Sequence, residues 1–483
     1  MTVSYLDQLK QETNTAYTAN GAKSNKSTLN PVLDFFSKAG AMRADRQGAV
    51  ELFARAYAAD PLMAMKALFY LRDVRGGQGE RRIFKDCMHW LSQVDIDLVN
   101  HLNPLIPEYG RWDDVVVTRE CVVMLLKQFR DDEMAALIGE PVSLLAKWLP
   151  SENASSQETK QAAQFFMKAF GMRPVEYRKR VVALRKHIKL LEQQMSAKQW
   201  SEIDYEKIPS QAHRKHVAAF NRNDEDRYTK YLEAVTAGEK KINVSTLYTY
   251  EVFDTIQHNE QAANAMWSNL PDYTNGENAI VLADVSRSMS GRPMSISVSL
   301  ALYFAERNTG PFKNCFMTFT DQPEVVEVLG DTLSQKLSFI ESSRWGYNTD
   351  LGAALQAILN AAVLSECSQE ELPKVLYIIS DMQFDSATNH PNETNFQAAK
   401  RSFREAGYEM PHIVFWNCHA TGDDSPATMF DNNVTLISGS SQSTFQYAVA
   451  GKTPLESMND ILNSERYAPI TLVPVDNSEQ MPF

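Results

Sequence analysis

Five oxygen-bearing side chains have the types and spacing that best fit chemistry in this chain. Asp284, Ser286 and Ser288 occupy every second position just after the apolar run Ile280–Ala283. Such a run reads as a short buried strand. A chain that stops and turns after it can aim a carboxylate and two hydroxyls at one point. An all-oxygen set suits a hard cation such as Mg²⁺, which usually keeps several waters. Two further oxygens are expected from other loops. One is Thr349, within Gly346-Tyr-Asn-Thr-Asp-Leu-Gly352, and the other is Asp381, which closely follows the apolar run Val375–Ile379. Neutral hydroxyls leave the cation electrophilic, so it could accept an acidic group from a partner. Asp and Ser also favour helix caps and turns; the order and context of Thr349 and Asp381 favour the metal.

Two cationic stretches could meet an anion. Phe69-Tyr-Leu-Arg-Asp-Val-Arg-Gly-Gly-Gln-Gly-Glu-Arg-Arg82 sets Arg72, Arg75, Arg81 and Arg82 around glycines whose N–H groups can face a phosphate. It lacks the Gly-Lys-Ser/Thr ending of a P-loop, and its flanks read as helices. Its plainer role is an interhelical turn with arginines paired to nearby acids. The second stretch reads as a helix with an apolar stripe, Val181, Leu184, Ile188, Leu191 and Met195. Turned away from it is a ridge of Arg178, Lys179, Arg185, Lys186 and Lys189. From Met172 to Lys189, Glu176 is the only acid among seven Lys and Arg, a balance suited to phosphate contacts. No nucleophile–base pair is evident, and His187, His213 and His216 have no assignable role. The expectation is a binding protein rather than an enzyme. A metal-dependent hydrolase using Asp284, Asp381 and Asp385 fits less well, because Ser and Thr ligands suit binding better than a two-metal carboxylate cluster.

The elements that must position these groups change character along the chain. Residues 1–30 are polar and are expected to form a flexible arm. From 31 to 275 the periodicity is helical, with segments Ala49–Ala58, Leu62–Leu71, Arg82–Leu91, Val115–Arg130, Val142–Trp148 and Lys160–Phe170. Many short amphipathic helices in succession suggest a helical-repeat solenoid or ring. From 276 to 465, six strand-like runs (Ile280–Ala283, Cys315–Phe319, Val325–Val328, Val375–Ile379, Ile413–Trp416 and Val434–Ile437) are interspersed with helical stretches Met294–Ala305, Leu351–Leu364 and Phe396–Ala406. That pattern predicts a doubly wound α/β sheet. Residues 466–483 are expected to be a tail.

Composition narrows the function classes. The 483 residues are 44% hydrophobic and 22% charged, with a net charge of −12 at pH 7. A nucleic-acid surface must therefore be a local basic patch on an acidic body. Five dispersed cysteines without metal-ligand spacing read as buried free thiols in a reducing compartment. The N-terminus has no leader pattern, and no apolar run of about 18 residues could span a bilayer. A cytoplasmic protein without a membrane partner is expected.

Three helical motifs, Leu71–Arg82, Ile106–Asp114 and Tyr177–Arg185, precede the Asp-x-Ser-x-Ser site with its distant Thr and Asp. Together they resemble the Ro family, in which a TROVE-type helical domain is followed by a von Willebrand factor A (vWA) domain. The similarity is greatest to microbial and viral Ro-like proteins. The resemblance implies a HEAT-like α-helical ring over 31–275 and a Rossmann-like vWA domain over 276–465. It implies Mg²⁺ held by Asp284, Ser286, Ser288, Thr349 and Asp381 in a metal-ion-dependent adhesion site. Arg287 stands where family members often carry Gly, which puts a cation near the metal. The ring would bind small noncoding or misfolded RNA through Arg72, Arg75, Arg81, Arg82, Arg178, Lys179, Arg185, Lys186 and Lys189. The vWA domain would close the ring or recruit an acidic protein partner. The competing expectation is a metal-dependent interaction module without RNA.

Overall fold

The computed structural model describes residues 4–474 except 275, 277, 320–322, 343–348, 387–392 and 449, and does not describe the side chain of Gln8. Gly346–Asn348 of the Thr349 loop, and residues 475–483 of the expected tail, lie outside the described residues.

The polar N-terminal segment is not a loose arm. Ser4 caps a helix, Tyr5–Thr13, and a hairpin follows, made of β1 (Thr15–Tyr17) and β2 (Lys23–Asn25). Its polar side chains serve docking rather than solvation. Ser24 Oγ donates to Asp424 at 2.7 Å, and the backbone of Asn25 pairs with that of Ser425.

The helical region then starts where the sequence signals it. Asn30 and Asp60 accept from the N–H groups of Leu33 and Met63, with Pro31 and Pro61 in the first turns of helices Pro31–Lys38 and Pro61–Arg72. Helices Arg46–Ala59, Arg82–Val94 and Gln157–Ala169 match their predicted positions. Three differ. The helix expected from Val115 begins at Arg119, where Thr118 caps it, and runs to Leu137. Val142–Trp148 yields one turn, Leu145–Trp148. The stripe from Val181 to Met195 is broken: one helix ends at His187, Lys189 takes a left-handed φ of 55°, and Leu191 starts another.

In the second half all six expected strands form: β3 (Ala279–Ala283), β4 (Cys315–Thr318), β5 (Val325–Glu327), β6 (Val375–Ser380), β7 (His412–Asn417) and β8 (Val434–Ser438). Their order is β5-β4-β3-β6-β7-β8, with every neighbouring pair parallel except β4 and β5. The chain winds outward from β3 to one edge, then returns to β6 and winds to the other, so the switch point falls between β3 and β6. Alternation along the central strands feeds both faces. Val281, Ala283, Tyr377 and Ile379 join a core continuous with the helical region. Ile280, Leu282, Leu376 and Ile378 pack under helices Leu351–Ser365 and Asn395–Glu405. The architecture is α plus α/β.

Both ends of the helical region rest on this second unit. Helix Pro31–Lys38 packs on β8, and Gly40 donates its N–H to Ser438 Oγ at 3.2 Å. Helix Thr249–Ile256 packs on helix Arg292–Arg307, where the hydroxyls of Thr249 and Ser299 lie 2.8 Å apart. The segment expected to begin a tail at 466 instead returns to the helices, burying Tyr467 and Ile470.

Candidate metal centre

The switch point holds two carboxylates. Asp284 follows β3 and Asp381 follows β6, and neighbouring Cα positions of the two strands pair in register up to Ala283 and Ile379. Both side chains are buried, Asp284 at 0% and Asp381 at 1% exposure. Asp284 is held rigidly: Oδ1 accepts the Ser286 N–H at 2.8 Å and Oδ2 accepts the Ser380 hydroxyl at 2.6 Å. Ser380 Oγ in turn accepts the Met382 N–H at 3.0 Å. Burial raises the Asp284 carboxyl from its ordinary pKa. The Ser380 and Ser286 hydrogen bonds oppose the rise, and the charge of Asp381 adds to it. Burial, with both aspartates nearby, pushes the Cys418 thiol well up.

The hydroxyls converge on the same end of the sheet. Ser286 Oγ and Ser288 Oγ lie 3.1 Å apart, Ser286 buried and Ser288 exposed. Thr349 is buried and tied to the β6 loop by a reciprocal pair of bonds: its N–H donates to Asp385 Oδ2 at 2.8 Å, and the Asp385 N–H donates to its carbonyl at 3.0 Å. Asp381 Oδ1 accepts the Gln383 N–H at 3.1 Å, while Oδ2 is buried without a hydrogen-bond partner among the described residues. An orphaned carboxylate oxygen beside a second carboxylate is a costly arrangement unless a cation completes it. Two carboxylates and nearby hydroxyls fit a hard divalent ion retaining water. Asp385 serves this set indirectly, turning its carboxylate to the Thr349 backbone. Among the described residues, no three His, Cys, Asp or Glu gather as a ligand set. A three-carboxylate centre of Asp284, Asp381 and Asp385 is therefore not formed.

Sequence reasoning missed Ser380, Gln383 and Asp385 as positioning groups. Ser380 had a signal, a hydroxyl beside Asp381 at a strand end. The N-terminal hairpin that meets this loop had none.

The cationic candidates divide sharply. Arg72 is 1% exposed and its guanidinium grips Asp114 at 2.6 and 2.9 Å, so it cannot touch RNA. Arg81 joins Asp114 and Asp113. Arg75 is exposed and donates to the Glu108 carbonyl at 2.6 Å, while Arg82 is exposed. The glycines of this segment make a tight turn, in which the N–H groups of Gln78, Gly79 and Glu80 donate to the Tyr70, Asp73 and Leu71 carbonyls. A Cβ on Gly77 would lie 2.0 Å from the Tyr70 carbonyl oxygen, and one on Gly79 (φ +67°) would lie 1.9 Å from Tyr248 Oη. Asp73, also in this turn, receives Arg466 at 2.8 and 3.0 Å and the Tyr467 hydroxyl at 3.2 Å.

On the expected ridge, Arg185 is half-buried, donating to the Ala146 and Leu149 carbonyls and to Ser151 Oγ; burial lowers its pKa. Arg185 thus pins a turn instead of facing a ligand. Arg178 is exposed and paired with Glu152 at 2.7 Å. Lys179, Lys186 and Lys189 are exposed and have no ion pair among the described residues. His213 is buried against the Tyr228 hydroxyl, and burial takes its pKa down to about 3.

Residues 278–467 match a family described as Domain of unknown function (DUF7788), and residues 18–95 and 142–279 match Domain of unknown function (DUF2828). The chain is similar to Uncharacterized protein L728 of Acanthamoeba polyphaga mimivirus, 27% identical over 509 residues, covering 95% of this chain and 86% of that protein. No solved structure matches. Among the described residues, no helix is long and apolar enough to cross a membrane.

Proposed function

We propose that this protein is a divalent-cation-dependent binding protein in which a vWA-like unit carries Mg²⁺ on Asp284, Ser286, Ser288, Thr349 and Asp381. The ion supplies an electrophilic site for an acidic group of a protein partner. The observation that carries this reading is Asp381 Oδ2, buried, without a hydrogen-bond partner among the described residues and close to the Asp284 carboxylate. The protein's own residues then act as a rigid frame: Ser380 and Ser286 fix Asp284, and Asp385 fixes Thr349. Titration of the full chain with Mg²⁺ or Mn²⁺ by calorimetry tests it. One saturable site, lost in Asp284→Asn, is expected; no saturable binding would refute the reading.

A second reading, RNA binding by a HEAT-like helical ring of the Ro type, is favoured by the exposed Lys179, Lys186 and Lys189, which have no ion pair among the described residues, with Arg82 elsewhere on the helices. The contact of both ends of the helical region with the α/β unit supports a closed arrangement. In this reading the ligand is a small noncoding or misfolded RNA, and Arg72, Arg81 and Arg185 are structural. The absorbance ratio at 260 and 280 nm of purified protein, followed by sequencing of co-purifying RNA, tests it. A clean protein ratio with no RNA bound at low salt would refute it.

A further inference from the structure

The turn of the N-terminal hairpin lies on the loop that carries Asp381. Thr18 Oγ1 donates to the Phe384 carbonyl at 2.7 Å, and the Asn20 side-chain amide donates to the Gln383 carbonyl at 2.7 Å. The Ala19 N–H donates to Gln383 Oε1 at 2.6 Å, and Gly21 forms an antiparallel bridge with Asp385. The hairpin therefore holds three consecutive residues, Gln383 to Asp385. The first donates its N–H to Asp381 and the last fixes Thr349. Met382, between Asp381 and Gln383, has a left-handed φ of 65° although it is not glycine. A residue in that region persists only where its surroundings over-determine it, and the bonds to the hairpin are part of that restraint.

The attachment is also separable from the core. Ala22 is the one residue of the hairpin that joins an apolar cluster, while Tyr17 is 65% exposed. Hydrogen bonds, several of them buried, rather than apolar area hold the rest, and few buried apolar contacts are one mark of a segment that opens locally.

We propose that the hairpin of residues 15–25 is a detachable positioning element for the metal centre. Docked, it sets the loop from Asp381 to Asp385 so that Asp381 and Thr349 face the cation together; released, it lets the loop relax and the affinity fall. The proposal rests on the cation reading given above. By thermodynamic reciprocity, an ion that binds the docked form better must also favour docking. Anything that captures the hairpin would thereby regulate the metal-dependent site from outside it.

The test uses the full chain, with Mn²⁺ as the probe, and compares wild type with Thr18→Val/Asn20→Ala. Affinity is measured by calorimetry, folding by thermal unfolding in EDTA, and docking by amide hydrogen exchange across residues 15–25 with and without the ion. The expected result is a roughly five- to tenfold weaker affinity in the variant, within the usual range of coupling between sites, with slower hairpin exchange in wild type when Mn²⁺ is present. Equal affinities, with exchange unchanged by the ion, would overturn the proposal while leaving the cation site intact. A wild type that does not bind Mn²⁺ would sink the cation reading and this proposal with it. If the double variant unfolds, Asn20→Ala alone and the wild-type exchange comparison decide the same question.

Discussion

Replacing Asp381 by Asn separates the demands of folding from those of cation binding. Among the described residues Asp381 Oδ2 is buried without a hydrogen-bond partner, and the Asp284 carboxylate lies close enough to be raised by it. Leaving a buried acceptor unsatisfied costs about 1–3 kcal/mol, more when it is charged. The amide keeps the shape of the side chain and an oxygen to accept the Gln383 N–H, while removing the charge. Asp381→Asn is therefore expected to stabilise the protein in EDTA by about 1 kcal/mol, because the charge is removed while the amide N–H₂ at the Oδ2 position is still a buried polar group. An ion present at a hundred times its dissociation constant stabilises a folded state by about 2.7 kcal/mol, and the variant should lose most of that gain. Urea unfolding of both proteins in EDTA and in saturating Mg²⁺ reads the crossover. The variant should be the more stable in EDTA, and the wild type should close or reverse the gap in Mg²⁺. A variant that is weaker in EDTA, yet stabilised by Mg²⁺ as much as wild type, would refute the reasoning.

Three further outcomes follow from named contacts. Changing Lys179, Lys186 and Lys189 to Glu should leave the unfolding midpoint nearly unchanged and, if these residues contact single-stranded RNA, flatten the salt dependence of binding by about 2 in log–log slope, from roughly 0.7 per lost contact; Arg185→Glu should instead destabilise the fold, and a filter-binding salt series with melting curves separates the two. His412 is bonded on both ring nitrogens, to Asn433 and Thr435, and burial takes its pKa to about 4. Its folded value lies below its unfolded one, so its stability contribution is present above about pH 6.5 and is lost as pH falls toward 4; it should cost roughly 2 kcal/mol between pH 7 and 5. His412→Gln should remove that share of the acid sensitivity in urea melts at the two pH values, and an unchanged slope would count against it. Arg466→Met should cost about 2–3 kcal/mol in urea unfolding, because it removes the ion pair of the fully buried Asp73, with some relief because the arginine is 31% exposed and Asp73 keeps the Tyr467 hydroxyl and the Arg75 N–H; adding Asp73→Asn should recover part of the loss, whereas strict additivity would argue against direct coupling.

The sheet was legible because β3, β6, β7 and β8 are buried on both faces and so read as short, nearly continuous apolar runs ended by polar residues, whereas the edge strand β5 buries only Val326. The positions of Asp284 and Asp381 were legible for a related reason: they mark the polar ends of β3 and β6, where a doubly wound sheet places its crevice. Boundaries in the helical region were less so. The stripe from Val181 to Met195 keeps its spacing through a break, because periodicity is blind to one left-handed residue such as Lys189. The hairpin at the N-terminus carries no apolar alternation at all. Its order comes from distant hydrogen-bond partners, such as Asp424, 400 residues from Ser24 in sequence, which local pattern cannot register.

The basic residues make the same point about charge. A run of Arg and Lys looks uniform in sequence, yet the two side chains have different uses here. A guanidinium presents several donors in a planar fork and is only weakly hydrated, so it can be buried against carboxylates and carbonyls. Arg72, Arg81, Arg185 and Arg466 are all used this way, joining turns and helices that lie far apart in the chain. An ammonium is a strongly hydrated point charge and stays in water unless a partner is close. Lys179, Lys186 and Lys189 do so, and they keep the ridge cationic where Arg178 and Arg180 are neutralised by acids. Any polyanion binding on that helix face must therefore be carried mainly by lysines, with weak geometric specificity and strong dependence on salt. Recognition of a particular RNA would then have to come from the shape of that RNA.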